Sequence, residues 1–356
     1  MNRQYSAVGL PWRSGIGTDV TDCKTAREVM EKVGLDFTVD KCELVAKMPF
    51  RLGPGMNVIE EDKGFAYGGN IYRDCPNAYA TYRTDKNIPL GIVKQKYEVV
   101  QNMDAFNFFD DAIGPDKAIW QTAGCFGFGH KIFISAKLPI ETTVKGDKID
   151  NYLVFSNSHD GSCSVNIMFT PIRVMCTNML NGALKSSDSF IRFRHTQSVG
   201  QRLQQGTELL RIACSHAKDA QQLYEVLAMA KVSDDQVMKY IAGLELTDAE
   251  YAKLMQYDEN TVFRRLFGGD YRVIDEIELS TRKFNKMVTM FDYYQNGVAQ
   301  KNIAGTWWGA YNGITGYYSN VDNKQGEKRM DALLYGSVNN SMNKALNVAF
   351  DVIRAA

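Results

Sequence analysis

The residues with the most chemical potential lie in one stretch, residues 151–185, with the sequence NYLVFSNSHDGSCSVNIMFTPIRVMCTNMLNGALK. A cysteine becomes a nucleophile only where a nearby base or positive charge generates the thiolate. The histidine, acid and cysteine of this stretch satisfy that requirement in principle. The candidate functional centre consists of His159, Asp160, Cys176 and Asn178.

The same residues also have a structural interpretation. Asp-Gly between two alternating runs is a strong signal for a tight hairpin turn, and His159 can serve merely to bond backbone there. Residues 151–158 alternate as a strand does, and a return strand is predicted from Cys163 to about Thr170. Pro171 cannot donate to a ladder, so the return strand should end there or lie at a sheet edge. From Thr177 the apolar spacing becomes helical.

A basic run follows at SFIRFRHT, residues 189–196. Its arginines alternate with apolar residues, so one face of a strand can follow phosphates while an aromatic ring at its edge stacks on a base. An ordinary amphipathic strand with solvated arginines has the same alternation. The predicted phosphate contacts are Arg173, Lys185, Arg192, Arg194 and Arg202, and the predicted stacking residues are Phe193 and Tyr311.

Other constellations do not amount to sites. Three glycines at 124, 127 and 129 alternate with phenylalanines, and no Lys-Ser/Thr follows, so a strand with a bulge is favoured over a phosphate loop. The four histidines lack the spacing of a zinc site. We therefore predict neither a metal nor a cofactor. The aromatic residues around Trp307 are expected to form core, with Tyr311 as a binding residue if it is exposed.

Composition restricts the class of protein. With 356 residues and 45% hydrophobic content, the chain can build a sizeable core. Lys and Arg number 41, as do Asp and Glu, so attraction to nucleic acid or membrane can come only from a local patch. Seven cysteines without a CxxC pair, and no signal peptide, favour free thiols in the cytoplasm. No apolar run is long enough for a membrane span.

The periodicities predict an α+β fold. Strand-strand-helix units of an antiparallel sheet fill the N-terminal half, and the C-terminal half is mostly helical. The proposed division places a sheet domain at 1–195 and a helical domain at 196–356, although the two can share one core. Capping boxes are predicted at Thr25, Ser233 and Thr247, and Asn102 is predicted to cap a helix. The long helices are predicted at 201–230, 274–294, 304–318 and 330–354.

Several blocks together resemble a family of phage/plasmid-like proteins of unknown function. The blocks are PWRSGIGT, GLDF, GIVKQKYEVVQN, NSHDGS followed by TPIRVMCTNML, RHT and GTWWGAYNGITGYYSN. This resemblance runs nearly end to end and implies a protein encoded by a mobile element in a bacterial host. It brings no established catalytic residues.

Three hypotheses follow. The leading one is a non-enzymatic protein that binds single-stranded DNA in annealing, recombination or replication. The strand-strand-helix units are similar in outline to the folds of phage annealing proteins, which implies a homo-oligomer, although similarity of fold does not establish function. The second is an enzyme of nucleic-acid or nucleotide metabolism centred on His159, Asp160 and Cys176. The third is an inhibitor that binds a host defence protein.

Overall fold

The computed structural model describes residues 4–7, 10, 17–49, 64–67, 70–113, 119–175, 178–179, 190–196, 206–257, 259–322, 324–334 and 336–355. The strands are β1 (Gly17–Asp19), β2 (Val39–Pro49), β3 (Gly64–Tyr67), β4 (Asn70–Arg83), β5 (Ile88–Lys94), β6 (Ile119–Phe126), β7 (Lys131–Val144), β8 (Asp147–Ser158), β9 (Val165–Arg173), β10 (Asn178–Met179) and β11 (Phe190–Phe193). The helices are α1 (Ala26–Val33), α2 (Asn102–Ile113), α3 (Gly206–Met229), α4 (Asp234–Glu245), α5 (Asp248–Leu254), α6 (Glu259–Phe267), α7 (Arg272–Ile277), α8 (Thr281–Asn296), α9 (Trp307–Asn320), α10 (Gly326–Leu334) and α11 (Ser337–Ala355). Antiparallel sheets therefore occupy the N-terminal half and helices most of the C-terminal half, which confirms the predicted α+β class.

The larger sheet has seven strands, in the order β1-β6-β7-β8-β9, and both β10 and β11 pair with the far side of β9. The predicted hairpin is present as β8 and β9, but its connection is not the predicted tight Asp-Gly turn. Residues 159–164 lie between the two strands, and Gly161 has a φ of 74° whereas Asp160 does not have a positive φ. Pro171 lies between the part of β9 that pairs with β11 and the part that pairs with β10. β9 continues through Pro171 because neither β10 nor β11 pairs with this position, so the absent N–H of the proline interrupts no described hydrogen bond.

The helix predicted from Thr177 does not begin there. Asn178 and Met179 pair with Arg173 and Ile172 as β10, so tertiary pairing overrides the local helical spacing. The remainder of that predicted helix lies outside the described residues.

The smaller sheet is organised around β4. That strand pairs with β2 on one side along most of its length, with a bulge between Glu43 and Val45. On its other side it pairs with β3 through its first half and with β5 through its second half. The half that carries β5 lies against the larger sheet, since Thr81 donates to the carbonyl of His159 and Gly91 packs against Asp160.

The two faces of the larger sheet pack in different hydrophobic clusters. On β8, Val154 belongs to the cluster with the C-terminal helices, whereas Leu153 and Phe155 belong to the cluster with α1 and α2. Residues on both sides of position 195 contribute to the first cluster, including Val154 and Trp308. The division into domains at residue 195 stays a prediction.

The helix boundaries follow local capping. Both predicted capping boxes of the helical half are present, with Ser233 and Thr247 as the N-caps of α4 and α5. The helix predicted over 274–294 is instead two, because Glu278 adopts a left-handed backbone with φ 53° and Ser280 caps a new helix by accepting from the Lys283 N–H. The helix predicted over 330–354 is likewise divided near Gly336.

A buried ion pair joins the sheet to the helical half. Arg173 is 0% exposed, and its Nε and Nη2 donate to the two carboxylate oxygens of Asp147 at 3.0 and 2.9 Å. Its Nη2 also donates to the carbonyl of Ala299, and Trp308 Nε1 donates to Asp147 Oδ2 at 3.1 Å. The prediction that Arg173 contacts phosphate is thereby corrected, because its guanidinium is fully enclosed within the fold.

Replacing Arg173 with methionine should lower the free energy of unfolding by about 3–5 kcal/mol, because it leaves the Asp147 carboxylate buried without its cation. Urea titration at neutral pH measures the change. Arg264→Met is the matched control, since that arginine pairs with Asp235 on the exposed surface and should change stability very little. Equal losses of unfolding free energy in the two variants would contradict the role of Arg173 as a buried link between the sheet and the helical half.

Candidate functional site

The NSHDGS block forms a joint between the two sheets. His159 is completely buried, and its Nε2 lies 2.8 Å from Asn102 Oδ1. Asn102 donates through Nδ2 to the carbonyl of Leu35. Its Oδ1 is therefore the acceptor, and the His159 proton lies on Nε2. Asn102 was predicted to cap α2 with its side chain, but the side chain instead makes this buried connection.

Further contacts of the same turn come from the GIVKQKYEVVQN block, residues 91–102. A Cβ on Gly91 would lie 2.4 Å from the Cα of Asp160, so only glycine lets β5 approach the turn this closely. Tyr97 Oη donates to the carbonyl of Ser158 at 2.6 Å, and Asn157 Nδ2 donates to the carbonyl of Val100 at 3.1 Å. The GIVKQKYEVVQN and NSHDGS blocks are therefore in direct contact at the joint.

The RHT block completes the joint. The His195 ring stacks on Tyr97 with centroids 4.4 Å apart, and its Nδ1 lies 2.9 Å from the carbonyl of Glu98. The Glu98 N–H donates in turn to the His195 carbonyl. Three blocks that are distant in sequence therefore assemble as one unit.

The candidate catalytic histidine is neutral in this environment. Burial, and to a lesser extent the nearby His195, lower the pKa of His159 to about 3. Asp160 accepts the backbone N–H of Ser162 through Oδ1, which closes the turn. Cys176 lies outside the described residues. His159 and Asp160 therefore stabilise the turn through hydrogen bonds, and the His159 side chain is buried away from solvent.

A polar cavity opens on the other side of the same hairpin. The strand register aligns Ser156 of β8 with Asn166 of β9, and Asn166 with Arg192 of β11. These side chains project from the side of the sheet that faces the C-terminal helices. Val154 lies two residues before Ser156 on β8, and Met168 lies two residues after Asn166 on β9, and both pack in the hydrophobic cluster with those helices. The cavity measures about 410 Å³ and is lined by Phe126, Lys131, Ser156, Ser162, Cys163, Ser164, Asn166, Arg192, Met330, Asp331 and Gly336.

Both cationic and acidic side chains border the cavity. Lys131 Nζ lies 3.2 Å from Asp331 Oδ2 and 3.8 Å from Glu327 Oε1. Although burial opposes it, Asp331 raises the pKa of Lys131, which stays charged. The exposed Arg192 provides the second cation. Asn166 is 2% exposed, and its Oδ1, which only accepts hydrogen bonds, has no partner within the described chain, so it would need a donor rather than an anion.

Nucleophilic chemistry is not favoured at this cavity. Burial raises the pKa of the Cys163 thiol, so the thiolate is disfavoured at neutral pH. The Cys163 backbone is instead clamped by Ser158, whose Oγ accepts its N–H at 3.0 Å and donates to its carbonyl at 2.8 Å. Cys163 therefore serves to anchor the turn and is not activated as a nucleophile.

A larger cavity lies in the helical half, with a volume of about 730 Å³. Its lysines are paired with acids, as Lys131 is in the smaller cavity: Lys283 with Glu250 at 2.6 Å and Lys286 with Glu245 at 2.7 Å. Tyr317 and Tyr318 of the aromatic block line this cavity, but none of the predicted site residues does. The cavity beside the hairpin includes Arg192 and is therefore the stronger candidate.

The remaining predicted contacts are dispersed. Phe193 packs against the cluster of α1 and α2, on the opposite face from Arg192, and Tyr311 is 0% exposed. The stacking prediction for Tyr311 is therefore corrected, because its ring is buried, whereas the half-buried Phe193 stays a prediction. Arg194 is exposed just beyond β11. Lys185, Arg202 and the side chain of Asn178 lie outside the described residues.

Of the residues that line the cavity, only Arg192 was among the predicted site residues, and those missed include Lys131, Ser156, Asn166 and Asp331. Alternation along each strand contained the signal for Ser156 and Asn166, but their convergence with Arg192 depends on the register between strands. Within the part of the chain that the structure describes, no three His, Cys, Asp or Glu side chains cluster as metal ligands. No helix in that part is long and apolar enough to cross a membrane.

Comparison with known families adds one finding. The family model described as Domain of unknown function (DUF932) matches residues 89–345, well over half of the 356 residues. The chain belongs to this family. No curated protein and no solved structure matches it. The matched region includes the joint and the cavity.

Replacing His159 with glutamine should remove part of the acid sensitivity of the fold. Below pH about 6.5 the unfolded chain binds a proton at His159 that the folded chain excludes, so stability falls with pH by up to about 1.4 kcal/mol per unit. The free energy of unfolding of wild type should therefore fall by about 2 kcal/mol more than that of His159→Gln when the pH is lowered from 7 to 5. Chemical denaturation at both pH values measures this difference, and an equal fall in the two proteins would show that folded His159 titrates normally.

Proposed function

We propose that this chain, as a member of the DUF932 family, binds single-stranded nucleic acid without chemically changing it. The cavity beside the hairpin would take a backbone phosphate. The end-to-end resemblance to phage/plasmid-like proteins supports action in annealing, recombination or replication of a mobile element, in the cytoplasm of a bacterial host.

The observation that carries the proposal is the convergence of Lys131 and Arg192 in one polar cavity. A guanidinium recognises phosphate oxygens in a bidentate manner, and an ammonium adds a point charge. Ser162 and Ser164 add hydroxyl donors from the turn. Lys131 is shared with two carboxylates, Asp331 at 3.2 Å and Glu327 at 3.8 Å, so a phosphate would compete with them for Lys131 and would also contact Arg192.

A polymer is favoured over a single small anion because positive charge continues along the strand. Arg194 is exposed two residues beyond Arg192, and alternate residues of an extended chain share a side. A backbone with regularly spaced phosphates can contact both arginines. The balanced net charge of the whole chain requires such a local patch.

The proposal includes self-association. The similarity in outline to phage annealing proteins favours a homo-oligomer, which size-exclusion chromatography with and without single-stranded DNA would detect. The enzymatic alternative gains no support from the buried, neutral His159 or from the protonated Cys163 thiol.

The double variant Lys131→Gln/Arg192→Gln should weaken binding of a fluorescent single-stranded oligonucleotide at least tenfold at low salt. It should also reduce the salt slope of the binding constant, by about 0.7 for each lost phosphate contact. Fluorescence anisotropy across a salt series measures both quantities.

The matched control is Arg264→Gln/Arg272→Gln, which removes two cations from exposed ion pairs of the helical half. Its affinity and salt slope should stay close to those of wild type. Equal effects of the two double variants would mean that binding reflects overall charge, and no binding by wild type at low salt would refute the proposed function.

A further inference from the structure

The smaller sheet extends into a three-stranded segment that we call the distal arm: residues 45–49, 64–67 and 70–74. Here β4 runs between β2 and β3. None of the arm's described side chains belongs to either hydrophobic cluster. The arm is thus held by backbone pairing while its apolar side chains stay outside the core, which requires an explanation.

One face of the arm carries an aromatic row. The register places Lys47, Tyr72 and Phe65 side by side on adjacent strands. Tyr67 lies two residues beyond Phe65, on the same face. The rings of Phe65 and Tyr72 are stacked, with centroids 4.9 Å apart and planes 9° from parallel.

The outer rings are open to solvent. Phe65 is 57% exposed and Tyr67 is 75% exposed. Because Phe65 covers Tyr72 in a nearly parallel stack, a further flat ring can extend the same stack. Lys47 is exposed beside Tyr72 and makes no ion pair within the described part of the chain.

These features fit a nucleobase better than a protein side chain. Bases stack on exposed aromatic rings irrespective of sequence, and a neighbouring cation attracts the phosphate that each base carries. A wholly apolar partner would leave the Lys47 ammonium without a counter-charge. Aromatic rings together with a cation on a sheet face therefore indicate an unpaired strand, whose bases are accessible.

We infer that the distal arm is a base-stacking surface for single-stranded nucleic acid, formed by Phe65, Tyr67 and Tyr72 with Lys47. This inference rests on the proposed function and adds a second contact of different chemistry, because the cavity takes phosphate and the arm takes bases. Base stacking, which the sequence predicted for Phe193 and Tyr311, is thus assigned to the aromatic residues of the arm.

The test compares two polymers of equal length and charge, an oligothymidylate and its abasic counterpart, by fluorescence anisotropy. Wild type should bind the oligothymidylate at least about 5-fold more tightly, since one stacked base corresponds to about 5- to 140-fold in affinity. Phe65→Ala/Tyr67→Ala should lose this preference while its affinity for the abasic strand stays unchanged. Phe128→Ala removes a phenylalanine of similar exposure (62%) in the β6–β7 turn and should keep the preference.

The outcomes separate the two proposals. Equal binding of both polymers by wild type, with the arm variant unaffected, would overturn the stacking role and leave the phosphate cavity standing. Failure to bind either polymer would overturn both. A changed self-association of the arm variant with unchanged preference for bases would make the arm an interface between copies and would also overturn the inference.

Discussion

The hydrogen bond between His159 Nε2 and Asn102 Oδ1 fixes the turn on which the rest of the site depends. It lies in a fully buried position, where a lost partner costs far more than the same bond contributes at a surface. Thr81 Oγ1 donates to the carbonyl of His159 from the smaller sheet, and Ser158 closes the turn onto Cys163. One turn therefore holds the two sheets in place and shapes the rim of the cavity.

The alternation of a single strand divides these two tasks. On β8, Asn157 points to the side of α2 and bonds the carbonyl of Val100, whereas Ser156 points to the cavity. Two neighbouring residues of β8 thus have different roles: Asn157 stabilises the contact with the segment before α2, and Ser156 lines the cavity. A substitution in this block that weakens ligand binding can act through either face, so stability has to be measured beside affinity.

Local patterns predicted much of the fold because their causes are local. The location of the turn between β8 and β9 and the capping boxes at Ser233 and Thr247 depend on a few adjacent residues. The predictions for Arg173 and Tyr311 did not succeed because burial depends on partners distant in sequence. For Arg173 those partners are Asp147 and the carbonyl of Ala299. The aromatic arm was missed since β3 has only four residues and its pairing with β4 gives no periodic signal.

The two proposals together place one unpaired strand on both the hairpin cavity and the distal arm. Photo-crosslinking of an oligonucleotide that contains 4-thiothymidine, followed by peptide mapping, tests this placement. We expect crosslinks within residues 161–166 and 190–194 and within residues 64–74. Crosslinks confined to the helical half, around Arg282 and Lys286 of its larger cavity, would contradict it.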